Sequence, residues 1–174
     1  VYGISGYGLS EGLGIDRAEA QSFIDSFYKS YPKVKAFFDN YLKEAKEKGY
    51  AQTMYGRRRD ASGLSSQNFQ LRRATEREII NFPIQGGAAD IMKIAMNNAY
   101  KVAREKYSDF AKLILQIHDE LVFEVATTDV SDKILKEFVG DVSRVMAKQK
   151  SLSVPMVVDV EYGADLSVKK KLIF

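Results

Sequence analysis

Residues 116–125, QIHDELVFEV, constrain the fold more than any other stretch of this chain. Two apolar runs rich in strand-forming residues, 113–117 and 121–125, flank His118, Asp119 and Glu120. So short an interruption leaves no room for a crossover connection, and it predicts an antiparallel hairpin. Tight hairpin tips normally carry Asn-Gly or Asp-Gly, because the turn requires positive φ. Here there is no glycine, and two adjacent carboxylates stand at the tip instead. Like charges side by side on a rigid hairpin repel one another unless a cation is near. Mg²⁺ takes a few carboxylate oxygens together with phosphate and water. Two such ions can hold the attacking and leaving oxygens of a phosphoryl transfer. A merely polar turn is the simpler reading of these residues taken alone, and His118 alone reads as a hydrogen-bonding residue.

The remaining pattern mixes helices and strands. Asp16 followed by Glu19 resembles a capping box and predicts a helix ending near Ser30, with Ala18, Phe23, Ile24 and Phe27 on its apolar side. Pro32 suits the first position of a second helix, with Val34, Phe37, Phe38, Tyr41 and Leu42 inward and Gly49 as its stop. The glycine-rich opening reads as a loop holding one helical turn. A short strand is predicted over 50–55, then an arginine-rich loop, then a helix over 69–82 that Pro83 ends. A second long helix is predicted over 86–106, with Ala88, Ile91, Met92, Ala95, Ala99 and Val102 inward. A helix over 131–148 should bury Ile134, Leu135, Phe138, Val142, Val145 and Met146. A last strand over 156–162 should close the fold, followed by a solvated tail with Lys169, Lys170 and Lys171. No regular βαβ alternation appears, so the expected class is α+β with an antiparallel sheet.

Charge is informative through its placement. The net charge is only +3, from 26 basic and 23 acidic residues. Between Arg57 and Arg77, however, six arginines face two acids, giving a local +4 with no lysine. Arginine without lysine favours planar bidentate contacts such as those to phosphate, although a solvated basic loop would look the same. Arg73, Arg77 and Asn81 recur every four residues and share one helix face, and Gln85 continues the line. Arginine, asparagine and glutamine all reach acceptors on bases and sugars. In the minor groove every base pair offers acceptors at similar places, so such a line could inspect a duplex without reading its sequence. An ordinary solvated helix face is the bland alternative. The chain has no cysteine, which excludes disulfides and thiolate metal sites. No run of eighteen apolar residues appears, so no membrane contact is expected. Val1 and the opening VYGISGYGLSEGLG read as the middle of a longer protein.

Four stretches, in order and together covering nearly the whole chain, resemble the family A DNA polymerases of the DNA polymerase I type. VYGISGYGLSE resembles the end of that family's fingers motif. GYAQTMYGRRRD resembles its Gly-Tyr and Gly-Arg-Arg-Arg strand and loop. RRATEREIINFPIQGGAADIMK resembles the segment leading into the long palm helix, and QIHDELVFE the third catalytic motif. The resemblance implies an antiparallel palm sheet with the catalytic hairpin packed against long helices, residues 1–49 deriving from the fingers and 50–174 from the palm. It implies that Asp119 binds two Mg²⁺ ions, that Glu120 supports it as a second metal-binding acid, and that His118 lies near the primer terminus. Arg77, Asn81 and Gln85 would contact primer and template, joined by Arg73. Arg57, Arg58 and Arg59 would lie near the duplex, and Tyr2 would guard the nucleotide site. Gly87 replaces a common Thr, Phe82 is larger than usual, and the tail KKKLIF lacks a common Trp.

The implied activity is template-directed addition of deoxynucleotides to a primer 3′ end. The partners would be primer–template DNA and deoxynucleoside triphosphates, and the parent would be monomeric. Bacterial cytoplasm beside the nucleoid is the expected location, with organellar or phage origin as alternatives. The family's first carboxylate motif, the body of its nucleotide-binding helix, the thumb and any exonuclease domain are expected to lie outside this chain. The chain alone should therefore be inactive. A non-catalytic DNA-binding module would keep the arginine face but need not keep Asp119 and Glu120. A nuclease would need further ligands, for which Asp159 and Glu161 are the remaining candidates.

Overall fold

The computed structural model describes residues 3–126, 128, 130–148, 152–167 and 170–171. The chain divides into two compact units, Val1–Ala88 and Ala89–Phe174. In the first, α1 (Gly6–Leu13), α2 (Arg17–Ser30) and α3 (Pro32–Lys48) precede the strands β1 (Tyr50–Gln52) and β2 (Arg58–Asp60) and a 3₁₀ turn, Ser62–Ser65. α4 (Phe69–Lys106) begins in this unit and continues into the second. The second unit adds β3 (Ala111–Ile117), β4 (Glu120–Val125), α5 (Asp132–Ala147), β5 (Glu161–Tyr162) and β6 (Lys170–Lys171). The class is α+β as expected, but among the described residues the strands form three separate antiparallel pairs, β1–β2, β3–β4 and β5–β6.

The local signals explain most boundaries. Asp16 caps α2 by accepting from the Ala18 amide at 2.7 Å. Pro32 opens α3, and Gly49 ends it at φ 77°, a left-handed conformation that a side chain would resist. Ser131 caps α5 by accepting from Ile134 N.

Several expectations fail for identifiable reasons. The strand over 50–55 stops at Gln52. Thr53 Oγ1 accepts from the amides of Tyr55 and Arg57, at 3.3 and 3.2 Å, and Gly56 at φ 89° turns the chain. Arg58 and Arg59 consequently stand on a strand, not in a loop. Pro83 does not end a helix: α4 runs unbroken for 38 residues around it. Proline removes one hydrogen bond, at a cost of about 3 kcal/mol, but the rest of the ladder remains. Ile79, one turn earlier, is fully buried with Ala45, Ala51, Ala61 and Leu64, and Phe82 packs against them. Tertiary burial there outweighs the local penalty. Ala88 is exposed, although the neighbouring Gly87 and Asp90 of α4 are buried. Ile134 is exposed because it lies in the first turn of α5. The predicted strand over 156–162 pairs only at Glu161 and Tyr162, with β6 as its partner. Val157 is 83% exposed, so alternation there produced no sheet. Lys170 and Lys171 form β6 instead of a free tail, and Lys171 Nζ pairs with Asp159 at 2.7 Å. Lys169 lies outside the described residues.

The second unit's core seats the predicted hairpin. Ala99, Ala103 and Tyr107 from α4 and its end, Ala111 from β3, and Phe138 and Val142 from α5 are buried together. Leu121, Phe123 and Val125 of β4 pack against them. At its edge Asp141 accepts from Lys106 Nζ at 2.8 Å, Tyr107 Oη at 3.0 Å and Arg144 Nη1 at 2.7 Å. The Lys106 bond, then those from Tyr107 and Arg144, hold this carboxyl at a pKa of about 2, below its ordinary 3.8. A depressed carboxylate stabilises the fold above its unfolded pKa, and that contribution disappears as pH falls through the folded value. The full shift would exceed 2 kcal/mol at about 1.4 kcal/mol per unit, but the lysine and arginine side chains are 59% and 71% exposed. Screening by solvent leaves about 1 kcal/mol. Asp141→Asn should therefore lower the urea midpoint near neutral pH, and the gap to wild type should close between about pH 4 and pH 2. An equal gap at both ends of that range would show that the network does not act through the Asp141 charge.

Candidate active site and nucleic-acid interface

The β3–β4 hairpin holds its tip through paired backbone. Its register places Ile117 opposite Glu120, Gln116 opposite Leu121 and Leu113 opposite Phe123, with an irregularity between Leu113 and Leu115. His118 and Asp119 form the turn between the strands. The positive φ that such a tip demands falls on His118, at 52°. This is the one non-glycine residue with positive φ among the described residues. A branched-ring side chain in the left-handed region carries local strain. The tip is held by β pairing on both sides, and Gln116 Nε2 donates to the His118 carbonyl at 2.5 Å. His118, Asp119 and Glu120 are all exposed. Glu120 belongs to β4 rather than to the turn, so two consecutive acids sit on different kinds of backbone.

The donor set is a pair of neighbouring carboxylates at an exposed, rigid tip. That fits a hard cation that keeps water and phosphate among its ligands. Among the described residues no group of three or more His, Cys, Asp or Glu side chains could hold a metal ion by itself. A closed, all-protein metal cage is therefore not built from them. Asp159 faces Lys171 instead of joining an acidic cluster.

In the first unit, the continuity of α4 puts Arg73, Arg77, Asn81 and Gln85 on one helix at intervals of four, past Pro83. Arg73, Arg77 and Gln85 are exposed and Asn81 is half-buried. Asn81 Oδ1 is buried and accepts no hydrogen bond. An orphaned amide oxygen costs about 1–3 kcal/mol, and such costs concentrate at binding sites. Arg73 Nη1 is 3.6 Å from Glu76, a loose pair. Arg59 bridges from β2 to Glu78 of α4 at 2.7 Å. Arg58 lies 4.3 Å from the Tyr50 ring centroid and donates from Nε to Gln52 Oε1 at 3.3 Å. Arg57 is exposed just before that strand. Tyr2 lies outside the described residues.

Two features escaped the sequence reading. One is the Asp141 network, whose members are scattered along the chain. The other is Phe69, 61% exposed at the start of α4, with the guanidinium carbons of Arg72 and Arg73 at 5.6 and 5.5 Å from its ring centroid. Its spacing of three and four residues to those arginines was a usable signal.

No helix among the described residues is long and apolar enough to cross a membrane. The family description "DNA polymerase family A" matches residues 1–167. Over 165 residues the chain is 42% identical to DNA polymerase I of Streptococcus pneumoniae serotype 4, covering 94% of this chain and 18% of that protein. Over 163 residues it is 45% identical to DNA polymerase I of Bacillus subtilis, with the same coverage. The chain thus spans under a fifth of the length of these relatives. Its fold is similar to the POL domain of Pol1 from M. smegmatis, solved in complex with DNA primer-template and dNTP. That similarity has a TM-score of 0.79 at 36% identity, over 88% of this chain and 26% of that one. With a match across nearly all of its length, the chain belongs to DNA polymerase family A, as a part of the polymerase domain.

Proposed function

We propose that this chain supplies the catalytic hairpin and a duplex-reading helix to a DNA polymerase that extends a primer on a template. The observation that carries this reading is Asp119, exposed at the tip of a hairpin whose paired strands are seated on a buried core. Rigid elements position a catalytic group better than a loop does. Residues 1–49 are read as fingers and 50–174 as palm, on the strength of the motifs each contains. The parent is read as a monomeric bacterial enzyme acting on chromosomal DNA in the cytoplasm, in replication or repair, because the relatives are bacterial DNA polymerases.

Asp119 and Glu120 would hold Mg²⁺, together with a carboxylate from outside these 174 residues. When bound, Mg²⁺ lowers the pKa of the primer hydroxyl and neutralises triphosphate charge. Asp119 contributes fixed negative charge at one place, and the strands spare it reorganisation during the reaction. His118, held at the tip by its own turn, would touch the primer terminus. Tyr2 would contact the dNTP.

Arg77, Asn81 and Gln85 would follow the minor groove of the last base pairs, where acceptors recur at every pair. Asn81 would serve there through its amide N–H, which can donate to such an acceptor. Arg73 and the exposed Arg57 would contact phosphates, and Arg58 and Arg59 would add positive charge beside them. Because the contacts are sequence-blind, they sense shape: a mismatch displaces the acceptors.

In the full-length protein, Arg77→Ala and Gln85→Ala should each slow extension from a matched primer by about 10- to 100-fold, from the loss of about 1–3 kcal/mol of groove contact. Extension from a mismatched primer should fall less, because those contacts are already poor. Steady-state extension on paired templates measures the ratio. Equal losses on both primers would remove the groove-reading role. Template-dependent incorporation by the full-length protein, and none by the 174-residue chain alone, is the test of the reading as a whole.

A further inference from the structure

Three aromatic–arginine contacts occur in the first unit's basic segment, and they are not alike. Arg58 lies 4.3 Å from the Tyr50 centroid, and Tyr50 is half-buried, so that ring face is already covered. Phe69 differs. Arg72 and Arg73 stand at 5.6 and 5.5 Å from its centroid, too far for close stacking, and the ring is 61% exposed. Leu71 beside it is 51% exposed.

The arginines are partly fixed. Arg72 is half-buried and donates from Nη1 to the Ser66 carbonyl at 3.0 Å. Arg73 is 63% exposed and only loosely paired with Glu76. The first amides of α4 are not the attraction, because Asn68 Oδ1 accepts from Gln70 N and Leu71 N at 2.9 and 3.2 Å. What remains is a large apolar π face beside one hydrogen-bonded and one exposed guanidinium, within a segment of local charge +4.

That combination suits a ligand with a flat aromatic face and an adjacent anion. An acidic peptide would satisfy the arginines and leave the ring in water. An unpaired nucleotide satisfies both, its base on the ring and its phosphate on Arg73. We propose that Phe69, flanked by Arg72 and Arg73, is a stacking site for an unpaired base of single-stranded nucleic acid. In a base-paired duplex the flat faces are already stacked on neighbours, so the site selects single strands. This inference rests on the reading of the chain as part of a DNA polymerase.

The test uses the full-length protein and fluorescence anisotropy. The probes are a labelled oligothymidylate and a blunt duplex of equal phosphate count. Phe69→Leu keeps the apolar bulk and loses the ring, and Phe69→Tyr keeps the ring. Leucine should weaken oligothymidylate binding about 5- to 100-fold, the range of one base–aromatic stack. Tyrosine should bind as wild type does, and duplex affinity should be unchanged in both. The proposal is overturned if Phe69→Leu binds the oligothymidylate as wild type does, as it would were the ring covered by another part of the protein. It is equally overturned if single strand and duplex weaken together, which would make Phe69 a support for the basic surface. An extension assay on the same variants separates this result from the polymerase reading. Template-dependent extension together with normal oligothymidylate binding by Phe69→Leu keeps that reading and removes the stacking site. Absence of template-dependent extension in wild type removes the polymerase reading whatever the anisotropy shows.

Discussion

Asp119→Ala in the full-length protein is expected to slow nucleotide addition by about a thousandfold or more, while primer–template affinity changes little. The residue is exposed at a turn, so removing its side chain leaves no cavity and breaks no packing. The loss should therefore be chemical, not structural, and the melting temperature should stay where it was. Asp119→Glu sharpens the point. It retains the charge but moves the carboxylate outward by one methylene, and a displacement of about 1 Å can cost a hundredfold. Single-turnover extension together with a DNA-binding titration separates rate from affinity. If both variants extend at near-wild-type rates, the hairpin tip is not the metal site.

Phe138→Ala should produce the largest loss of stability, about 3–5 kcal/mol. Phe138 is 4% exposed. Its ring meets Tyr107, Phe123 and Phe110 edge-on, with centroids at 5.3, 5.4 and 6.0 Å. Three elements thus converge on one side chain: the end of α4, β4 and α5. Edge-to-face contacts add about 0.5–1.5 kcal/mol each beyond burial, so truncation removes more than hydrophobic area. Phe123 belongs to the strand that follows the hairpin turn, and a loosened core should also blur the position of Asp119. Urea denaturation should show a lower midpoint with an unchanged slope, and extension should fall at temperatures where the wild type is stable. Phe138→Leu, which keeps most of the volume, should lose clearly less. A midpoint within experimental error of wild type would show that the aromatic cluster does not hold the hairpin.

The contrast between hairpin and helix α4 explains how far the sequence could be read. The hairpin was legible because its information is local: two short apolar runs, a short polar gap and an antiparallel return. The cap at Asp16 and the stop at Gly49 were legible for the same reason. Pro83 misled, because a proline penalty is also local but is opposed by burial of Ile79, which depends on residues from α3 to the 3₁₀ turn. The opposite error occurred at 156–162, where alternation was present but a partner was in reach at only two positions. Strand formation depends on pairing that a single segment cannot report. The Asp141 network joins residues more than thirty positions apart, and no periodicity announces it.

Within the candidate site, residue types pointed to the chemistry, and the structure added conformations. Two carboxylates at a glycine-free tip were visible from the start. That His118 takes the positive φ, and that Glu120 belongs to the strand, was not. The four-residue spacing of Arg73, Arg77 and Asn81 gave their shared face, and only an unbroken α4 extends it to Gln85. The orphaned Oδ1 of Asn81 is a property of packing and has no sequence signature.

Mg²⁺-dependent primer extension by the full-length protein, with Asp119→Asn measured alongside, tests the central claim most directly. Asparagine keeps the shape of the side chain and removes its charge, so the comparison isolates metal binding at the hairpin tip. Wild-type extension should rise with Mg²⁺ to a plateau and vanish with a chelator, and Asp119→Asn should fail to extend at any Mg²⁺ concentration. Equal extension by both proteins across the titration would contradict the assignment of Asp119 and, with it, the reading of this hairpin as the catalytic centre.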